Sequence, residues 1–361
     1  MKIMVYDVAA QGGGGMTVLL DFYREVLERS PGDIQWCFAV SQPGLEEAPG
    51  VRVLRFAKPK RSPLHRLIFE HWDFPRLLRR EMPDVLISLQ NMPVARYRGR
   101  QLVLLHQSLQ FCPRTFSFRK PEERELALRQ RVICRIIRRT LPRAEHLFVQ
   151  TQWIKDACIP WLGWPEDRIT VVRPRAIPPA PAPYTGVNSR TFFYPASGDI
   201  YKNHPLVIDA CRILEREGIR DYRVIFTLSP GDGPWVDGLI RSARGLPIEF
   251  VGRVPHEQVW QTYSRSILLF PSYLETCGLP LVEARAAGSW ILASDLPFAR
   301  EALAGYPNRS LFDHRSPQAL AREMKRVLAG VPWQAPGPAE PGGAPGLMEA
   351  MLETINRGSA I

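Results

Sequence analysis

The sequence predicts an α/β protein with two doubly wound, parallel-sheet domains. Short apolar runs of strand length alternate with segments whose apolar residues recur at helical spacing. This alternation is typical of parallel sheets with helices on both faces. The length of 361 residues fits two domains, since a domain commonly has about 150 residues. A Pro/Ala-rich stretch at 174–183 separates two such alternations and suits a stiff connector.

The first half begins with a strand, a glycine-rich loop and a helix. The loop is Gly12–Gly15, and the helix after it is expected to end at Ser30-Pro31-Gly32. Two further helices are expected near 64–81 and 121–141, and Thr151 is expected to cap a later one. The expected strands are Lys2–Val8, Ile34–Val40, Val51–Phe56, Val85–Leu89, Leu102–Leu105, His146–Gln150 and Ile169–Val172.

The second half repeats the alternation and ends in a looser segment. A helix is expected near 316–329, a Pro/Gly-rich linker over Pro332–Gly346 and a last helix over Leu347–Ile355. The expected strands are Thr191–Tyr194, Tyr222–Leu228, Ile248–Val251, Ile267–Phe270 and Trp290–Ala293. The predicted division is therefore 1–178, 179–331, and a C-terminal linker and helix over 332–361.

The net charge of +11 belongs entirely to the first half. Residues 1–175 contain 29 basic and 18 acidic side chains, whereas residues 176–361 contain 18 of each. Arginines interleave with aliphatic residues over 119–143, which favours a helix with one packed and one cationic face. Such an excess predicts an anionic partner: a membrane surface, a phosphorylated lipid or nucleic acid. Nucleic acid is disfavoured because no binding motif is present; a merely solvated face is the remaining alternative.

Cysteine usage and hydropathy bear on the compartment. The six cysteines form no CxxC pair, which argues against zinc and against a disulfide framework and fits a reducing cytosol. No run of about 18 apolar residues is present, and the first residues lack the apolar centre of a signal peptide. We therefore expect a cytoplasmic protein, peripheral on the inner face of the cell membrane. Without an HExxH or a D-x-D, we expect neither a metal site nor a cofactor.

Two glutamates eight positions apart carry the strongest chemical signal. The apolar run Ile267–Phe270 predicts a buried strand, followed by a polar turn with Glu275, then Gly278 and a helix that contains Glu283. A strand, a glycine-containing loop and a helix N-terminus together bind phosphate. A carboxylate one turn into the helix repels phosphate, but it accepts hydrogen bonds from the vicinal hydroxyls of a ribose. The segment therefore predicts a sugar-nucleotide site.

The stretch 271–288 resembles the E-x7-E signature of retaining glycosyltransferases of the GT-B fold, especially glycosyltransferase family 4. Further matching positions are Pro271-Ser272, Gly278-Leu279-Pro280, Glu283-Ala284, Gly288, Ser294-Asp295 and Arg300-Glu301. The resemblance covers 190–330 well and the first half more loosely. It implies two Rossmann-like domains facing a cleft, with the N-terminal domain on the acceptor side and the C-terminal domain binding the nucleotide sugar.

The same resemblance implies roles for individual residues of the second half. Glu283 would hold the ribose hydroxyls and Glu275 would position the donor sugar. The leaving diphosphate would be stabilised by Lys202 and by the N–H groups of Cys277, Gly278 and Leu279.

One position departs from the family pattern. Family members carry an arginine five residues before Lys202, where this chain has Ser197. Arg253, after Gly252, is a candidate substitute for the missing cation, although family members use that stretch for backbone contacts to the base.

Residues of the first half are expected to complete the site. His106 follows a strand, and family members carry a histidine near here that contacts the donor sugar. Asn91 follows the neighbouring strand and is expected to line the acceptor side. The loop glycines let the backbone approach a ligand, and the resemblance places them towards the diphosphate and the acceptor. They are Gly12, Gly13, Gly14 and Gly15.

The sequence thus predicts an enzyme that moves a sugar from a nucleoside diphosphate sugar to a saccharide or polyprenyl-linked acceptor in cell-envelope polysaccharide synthesis. Two alternatives share the fold. One is a GT-B epimerase or phosphorylase, and the other is an inactive transferase-fold binding protein, which the departure at Ser197 favours. A further interpretation gives the two glutamates no role in ligand binding: Glu275 caps the helix and Glu283 is a solvated helix residue.

Overall fold

The computed structural model describes residues 1–10, 13–41, 44–174, 184–335 and 345–358. The chain forms two compact units. Unit 1 contains Met1–Phe111, Leu128–Arg173 and the C-terminal helix, and unit 2 contains Cys112–Ala127 and the residues after Arg173 up to that helix. The sequence predicts a domain boundary between residues 178 and 179 and a separate C-terminal segment. Two segments are placed differently in the structure: 112–127 belongs to unit 2, and the C-terminal helix belongs to unit 1. Most of the expected connector at 174–183 lies outside the described residues.

Unit 1 is built on a seven-stranded sheet in which every neighbouring pair is parallel. Its order is β3-β2-β1-β4-β5-β6-β7, so the direction of strand addition reverses between β1 and β4. The strands are β1 (Lys2–Asp7), β2 (Gln35–Val40), β3 (Val51–Arg55), β4 (Val85–Ser88), β5 (Arg100–Leu105), β6 (His146–Val149) and β7 (Ile169–Val171). Most of their side chains are buried, as expected for a parallel sheet covered on both faces.

The helices before residue 174 follow the apolar periodicity. They are α1 (Gly13–Arg29), α2 (Pro63–Ile68), α3 (Phe74–Glu81), α4 (Arg124–Leu128), α5 (Cys134–Thr140) and α6 (Gln152–Leu162). One π turn joins α2 to α3 and another joins α4 to α5, so each pair forms one continuous helix. Thr151 is the N-cap residue of α6, but its side chain makes no capping hydrogen bond.

The glycine-rich stretch does not form the loop that the sequence predicts. Gly13–Gly15 form the first turn of α1, and Gly12 lies outside the described residues. The side chains that follow are buried at helical spacing, among them Leu19 and Phe22. Packing of this apolar face against the sheet outweighs the low helix propensity of glycine, which costs about 1 kcal/mol per residue relative to alanine.

Unit 2 repeats the plan with six parallel strands in the order β10-β9-β8-β11-β12-β13. The strands are β8 (Thr191–Tyr194), β9 (Arg223–Phe226), β10 (Ile248–Phe250), β11 (Ile267–Phe270), β12 (Ile291–Ser294) and β13 (Arg309–Phe312). Its helices are α7 (His204–Arg216), α8 (Pro234–Ser242), α9 (His256–Tyr263), α10 (Leu279–Ala286), α11 (Pro297–Ala302) and α12 (Pro317–Leu328). The two doubly wound domains that the sequence predicts are therefore confirmed, and β13 is a strand that sequence reasoning missed.

The last helix, α13 (Leu347–Gly358), packs within unit 1 although the chain reaches it from unit 2. Met348, Met351 and Ile355 are buried in the same apolar cluster as α1. The Glu25 carboxylate accepts hydrogen bonds from the backbone N–H groups of Met348 (3.1 Å) and Glu349 (3.4 Å), and so caps the first turn. The helix is therefore anchored by its apolar face and by its N-terminus.

A buried histidine opens α7 and makes unit 2 sensitive to acid. The His204 ring lies about 5 Å from the rings of Tyr194 and Phe226, and neither ring nitrogen has a hydrogen-bond partner among the described residues. Burial, with a smaller effect of Lys202, lowers the pKa of His204 to about 3. The unfolded chain therefore binds one more proton below the ordinary histidine pKa, and stability falls as the pH drops from about 6.5 towards 3.

Replacing His204 with phenylalanine is expected to flatten this pH dependence. At about pH 5 the buried neutral histidine costs about 2 kcal/mol relative to pH 7, and the variant avoids that cost. The slope decreases without vanishing, because burial also lowers the pKa of His146, to about 4. Chemical denaturation of both proteins at a series of pH values measures this. Parallel curves would show that folding does not lower the pKa of His204.

Candidate functional site

The carboxyl edge of the unit 2 sheet brings two predicted residues together. Strands β8 and β11 are neighbours at the point where the strand order reverses, and doubly wound sheets bind ligands there. Lys202 follows β8 and Glu275 follows β11; the Lys202 Nζ donates to the Glu275 Oε1 at 2.6 Å. Their side chains are 15% and 14% exposed. A partly buried ion pair thus lies at the switch point.

The loops that carry this pair are bound to each other. The Ser272 Oγ donates to the Glu275 Oε1 (2.7 Å) and lies within hydrogen-bonding distance of the Tyr201 carbonyl (3.1 Å). Asn203, which has a left-handed backbone (φ 59°), donates from its side chain to the Pro271 carbonyl at 3.2 Å. These contacts fix Lys202 and Glu275 from both sides.

The N-terminus of α10 begins directly after this loop. Gly278 is its N-cap residue with a left-handed backbone (φ 64°), and a Cβ added there would lie 3.0 Å from Leu281 Cδ1. Cys277 before it is buried, which raises the pKa of its thiol to about 12 and keeps it protonated. The first residues of α10, from Leu279, present the positive end of the helix dipole at the same edge of the sheet as Lys202.

Glu283 lies in the second turn of α10, with each carboxylate oxygen in a different contact. Oε2 accepts from the Tyr263 hydroxyl at 3.1 Å, and Oε1 lies 3.0 Å from the His256 Nε2. Tyr263 is fully buried, whereas His256 is 69% exposed. Burial and the nearby Glu283 raise the pKa of Tyr263 well above its usual value, so its hydroxyl remains a donor. The carboxylate, itself 14% exposed, is held in one orientation.

The other predicted residues of unit 2 differ in their contacts. The Ser197 Oγ donates to the Asp199 carboxylate at 2.6 Å. Arg253 is exposed and forms no ion pair with any described residue. At Gly252 (φ 72°) an added Cβ would lie 2.5 Å from the Ser229 Oγ, so only glycine fits this close approach without a shift. The contacts do not show Arg253 replacing the missing arginine.

Three predicted residues of unit 1 form a separate cluster at the carboxyl edge of its sheet. The His106 backbone N–H donates to the Asn91 Oδ1 at 2.8 Å, and its Nε2 lies 2.9 Å from the Leu89 carbonyl. Since a carbonyl only accepts, this Nε2 carries the proton. Burial lowers the pKa of His106, which favours the neutral ring. A Cβ added to Gly15 would lie 3.6 Å from the His106 ring, while Gly14 has open space around it.

Two absences hold for the described ranges. No group of three or more His, Cys, Asp or Glu side chains is arranged to hold a metal ion. No helix in the same ranges is long and apolar enough to cross a membrane.

Comparison with protein families assigns both halves of the chain. Residues 14–175 match the model "Glycosyl transferase 4-like domain", and residues 185–332 match the model "Glycosyl transferases group 1". The chain is a GT-B glycosyltransferase. No curated protein sequence matches the glycosyltransferase.

Solved structures match the glycosyltransferase over most of its length. Sucrose-phosphate synthase from Thermosynechococcus elongatus is 18% identical with a TM-score of 0.67, covering 91% of this chain and 90% of that chain. WaaG, a glycosyltransferase involved in lipopolysaccharide biosynthesis, is 14% identical with a TM-score of 0.65 and the same coverage. Anabaena Alr3699/HepE in complex with UDP is 17% identical with a TM-score of 0.63, again at 91% and 90%. At these identities the likeness shows the fold.

Sequence reasoning predicted roles for the two glutamates and the lysine of the glycosyltransferase, but it did not identify the residues that contact them. Tyr263 and His256 both contact Glu283, although they precede it by 20 and 27 positions. Tyr263 ends an amphipathic helix and reads in the sequence as an ordinary core residue. Tyr201 and Asn203 flank Lys202, yet their contacts to the Glu275 loop depend on the neighbouring strands β8 and β11.

Proposed function

We propose that this protein is a retaining, metal-independent family 4 glycosyltransferase. It moves a hexosyl or deoxyhexosyl unit from a nucleoside diphosphate sugar to a saccharide or lipid-linked acceptor in cell-envelope polysaccharide synthesis. The observation that carries the proposal is the Lys202–Glu275 pair at the sheet's switch point, with Glu283 on the helix that begins beside it. A structural relative bound to UDP and another involved in lipopolysaccharide biosynthesis agree with the donor and acceptor classes.

The diphosphate is the part of the donor that needs positive charge. Lys202 carries three N–H bonds, of which one is directed to Glu275. The others can donate to phosphate oxygens, and the α10 N-terminus at Cys277, Gly278 and Leu279 adds backbone donors. These groups stabilise the charge that develops on the leaving diphosphate as the sugar departs.

Glu275 and Glu283 bind different uncharged parts of the donor, namely the transferred sugar and the ribose. Glu275 is fixed by Lys202 and Ser272, so its second oxygen is oriented to accept from a sugar hydroxyl. Glu283 is oriented by Tyr263 and accepts from the two ribose hydroxyls, which displace His256 from its exposed position beside Oε1. Charge-assisted hydrogen bonds of this kind contribute about 1.5–3 kcal/mol each.

The transfer itself exchanges one bond at the anomeric carbon. The bond from that carbon to the phosphate oxygen breaks, and the acceptor hydroxyl oxygen bonds to the same face. The acceptor proton passes to the departing diphosphate oxygen. No protein nucleophile is required.

Tyr263→Phe is expected to weaken donor binding about tenfold through Glu283 alone. The variant removes one buried hydroxyl and leaves the ring packing against Phe193 and Trp260. A hydrogen bond to a charged group contributes about 1.5–3 kcal/mol, of which part is recovered by water. Calorimetry with a nucleoside diphosphate and its 2′,3′-dideoxy analogue measures the effect. Equal losses for both ligands would show a structural role only.

Donor and product analysis tests the proposed function directly. Thermal shifts with UDP, GDP, ADP, CMP and dTDP identify the nucleotide, because binding to the folded state raises the melting temperature. The matching sugar nucleotide is then incubated with an acceptor, and the anomeric configuration of the product is read by NMR. Inversion would contradict a retaining mechanism. Turnover without acceptor, or a demand for inorganic phosphate, would favour an epimerase or a phosphorylase.

One observation favours a second candidate, an inactive transferase-fold binding protein. At the position of the family's arginine, Ser197 contacts Asp199, which adds a negative charge near the diphosphate site. Calorimetry and the transfer assay together separate the two candidates. Binding of a nucleoside diphosphate without transfer to an acceptor would favour the inactive protein.

A further inference from the structure

An exposed aliphatic stripe runs along one helix of unit 1. Leu128, Val132 and Ile136 are 49%, 42% and 42% exposed and follow one another at intervals of four residues. The opposite face of the same helix, with Cys134 and Ile137, is buried. Side chains four positions apart lie on one side of a helix, so the three aliphatic groups form a continuous strip. The packing of unit 1 thus leaves this strip uncovered.

Arginines flank the stripe on both sides. The exposed arginines between 128 and 140 are Arg129, Arg131, Arg135, Arg138 and Arg139. Arg135, Arg138 and Arg139 form no ion pair with any described residue, and no acidic residue occurs over 126–144. Glu125, at the start of the helix, is its one acidic side chain, so most of the positive charge of this face is not balanced within the helix.

A small cavity opens beside the arginines. Its volume is about 130 Å³, and Arg135 and Arg138 line it with Gln110, Gln130, Cys134 and Trp161. Guanidinium and amide groups are suitable donors for a phosphate. The indole of Trp161 suits the region between headgroups and acyl chains.

We propose that this face, comprising the stripe Leu128, Val132 and Ile136 and its flanking arginines, docks on an anionic phospholipid bilayer. The aliphatic stripe enters the boundary between headgroups and acyl chains, the arginines pair with lipid phosphates, and one headgroup phosphate occupies the cavity. The inference deepens the proposed function and rests on it only for the lipid-linked acceptor, which such docking would bring within reach.

The stripe distinguishes a bilayer from other anionic partners. Nucleic acid is bound by basic groups with aromatic stacking platforms, and exposed aliphatic side chains contribute little to it. Both parts of this face strengthen binding to a bilayer, because the free energies of apolar insertion and of charge attraction add. Binding that depends on both parts is therefore the signature of the proposal.

Vesicle co-sedimentation of the full chain tests the surface. The wild type is expected to bind phosphatidylglycerol-containing vesicles at low salt and not to bind pure phosphatidylcholine vesicles. Arg135→Gln/Arg138→Gln/Arg139→Gln should weaken partitioning about a hundredfold. Leu128→Ser/Val132→Ser/Ile136→Ser should weaken it at least about tenfold. The matched control, Arg216→Gln/Arg244→Gln/Arg322→Gln, removes three exposed arginines of unit 2 and should bind as the wild type does.

Four outcomes would overturn the docking surface. They are equal binding to both vesicle types, unchanged binding by the aliphatic variant, a control that loses as much binding as the arginine variant, and tighter binding to RNA than to vesicles. Melting curves establish that each variant is folded. Nucleotide binding is measured in the same samples. Absence of vesicle binding would contradict only the docking surface, whereas absence of nucleotide binding by the wild type would contradict the proposed function.

Discussion

Lys202→Ala is expected to lower kcat at least about a hundredfold, the loss typical when one preorganised charge partner of a developing anion is removed. The lysine is the cation fixed at the switch point, with its Nζ 2.6 Å from the Glu275 carboxylate. Its removal takes positive charge from the departing diphosphate. Steady-state kinetics with a saturating donor measures kcat, and a thermal shift with the nucleoside diphosphate measures the accompanying loss of affinity.

Two controls separate this effect from loss of fold. Lys325→Ala breaks another 2.6 Å lysine–glutamate pair of unit 2, with Glu217, far from the switch point in sequence; it should keep full activity. Lys202→Ala also leaves the Glu275 carboxylate without its cation, so Lys202→Ala/Glu275→Gln should recover stability but not activity. A fully active Lys202→Ala enzyme would rule out the proposed role.

Glu283→Ala is expected to abolish measurable transfer and to weaken nucleoside diphosphate binding about a hundredfold. Each of the two hydrogen bonds from the ribose hydroxyls to the carboxylate contributes about 1.5–3 kcal/mol, reduced by the water that replaces it in the variant. This loss of affinity should disappear for a 2′,3′-dideoxy nucleoside diphosphate, because that nucleotide lacks both ribose hydroxyl groups. Calorimetry with both nucleotides measures the difference.

The variant is compared with Glu323→Gln, a glutamate of α12 that pairs with Arg326. That control should bind both nucleotides as the wild type does. Removing Glu283 also leaves the buried Tyr263 hydroxyl without its acceptor, so the melting temperature is expected to fall slightly. Full activity of Glu283→Ala, or equal losses for both nucleotides, would exclude ribose recognition by this carboxylate.

Much of the fold could be predicted because parallel sheets leave a strong local signal. Buried strands such as Ile267–Phe270 are continuous apolar runs, and the helices between them show regular periodicity. Strand β13 was missed because Arg309–Phe312 is short and starts with two polar residues. The helical state of Gly13–Gly15 was missed because it depends on the packing of the residues after them, which local propensity does not report.

The candidate site divides in the same way. Glu275 and Glu283 could be proposed from the sequence because they lie in one short motif, and Lys202 because it lies in the loop after β8 where the family resemblance places a lysine. The Lys202–Glu275 contact was not, because the two residues are 73 positions apart and meet only through the pairing of β8 with β11. Tyr263 could not be recognised either, since a buried tyrosine and a positioning hydroxyl have the same sequence pattern.

The placement of α13 has a practical consequence for dividing the gene. Because Met348, Met351 and Ile355 fill the cluster that also contains Leu19 and Phe22, a fragment that stops at the end of the first half would leave those two side chains partly uncovered. Such a fragment should aggregate on expression, and supplying α13 in trans or by circular permutation should rescue it.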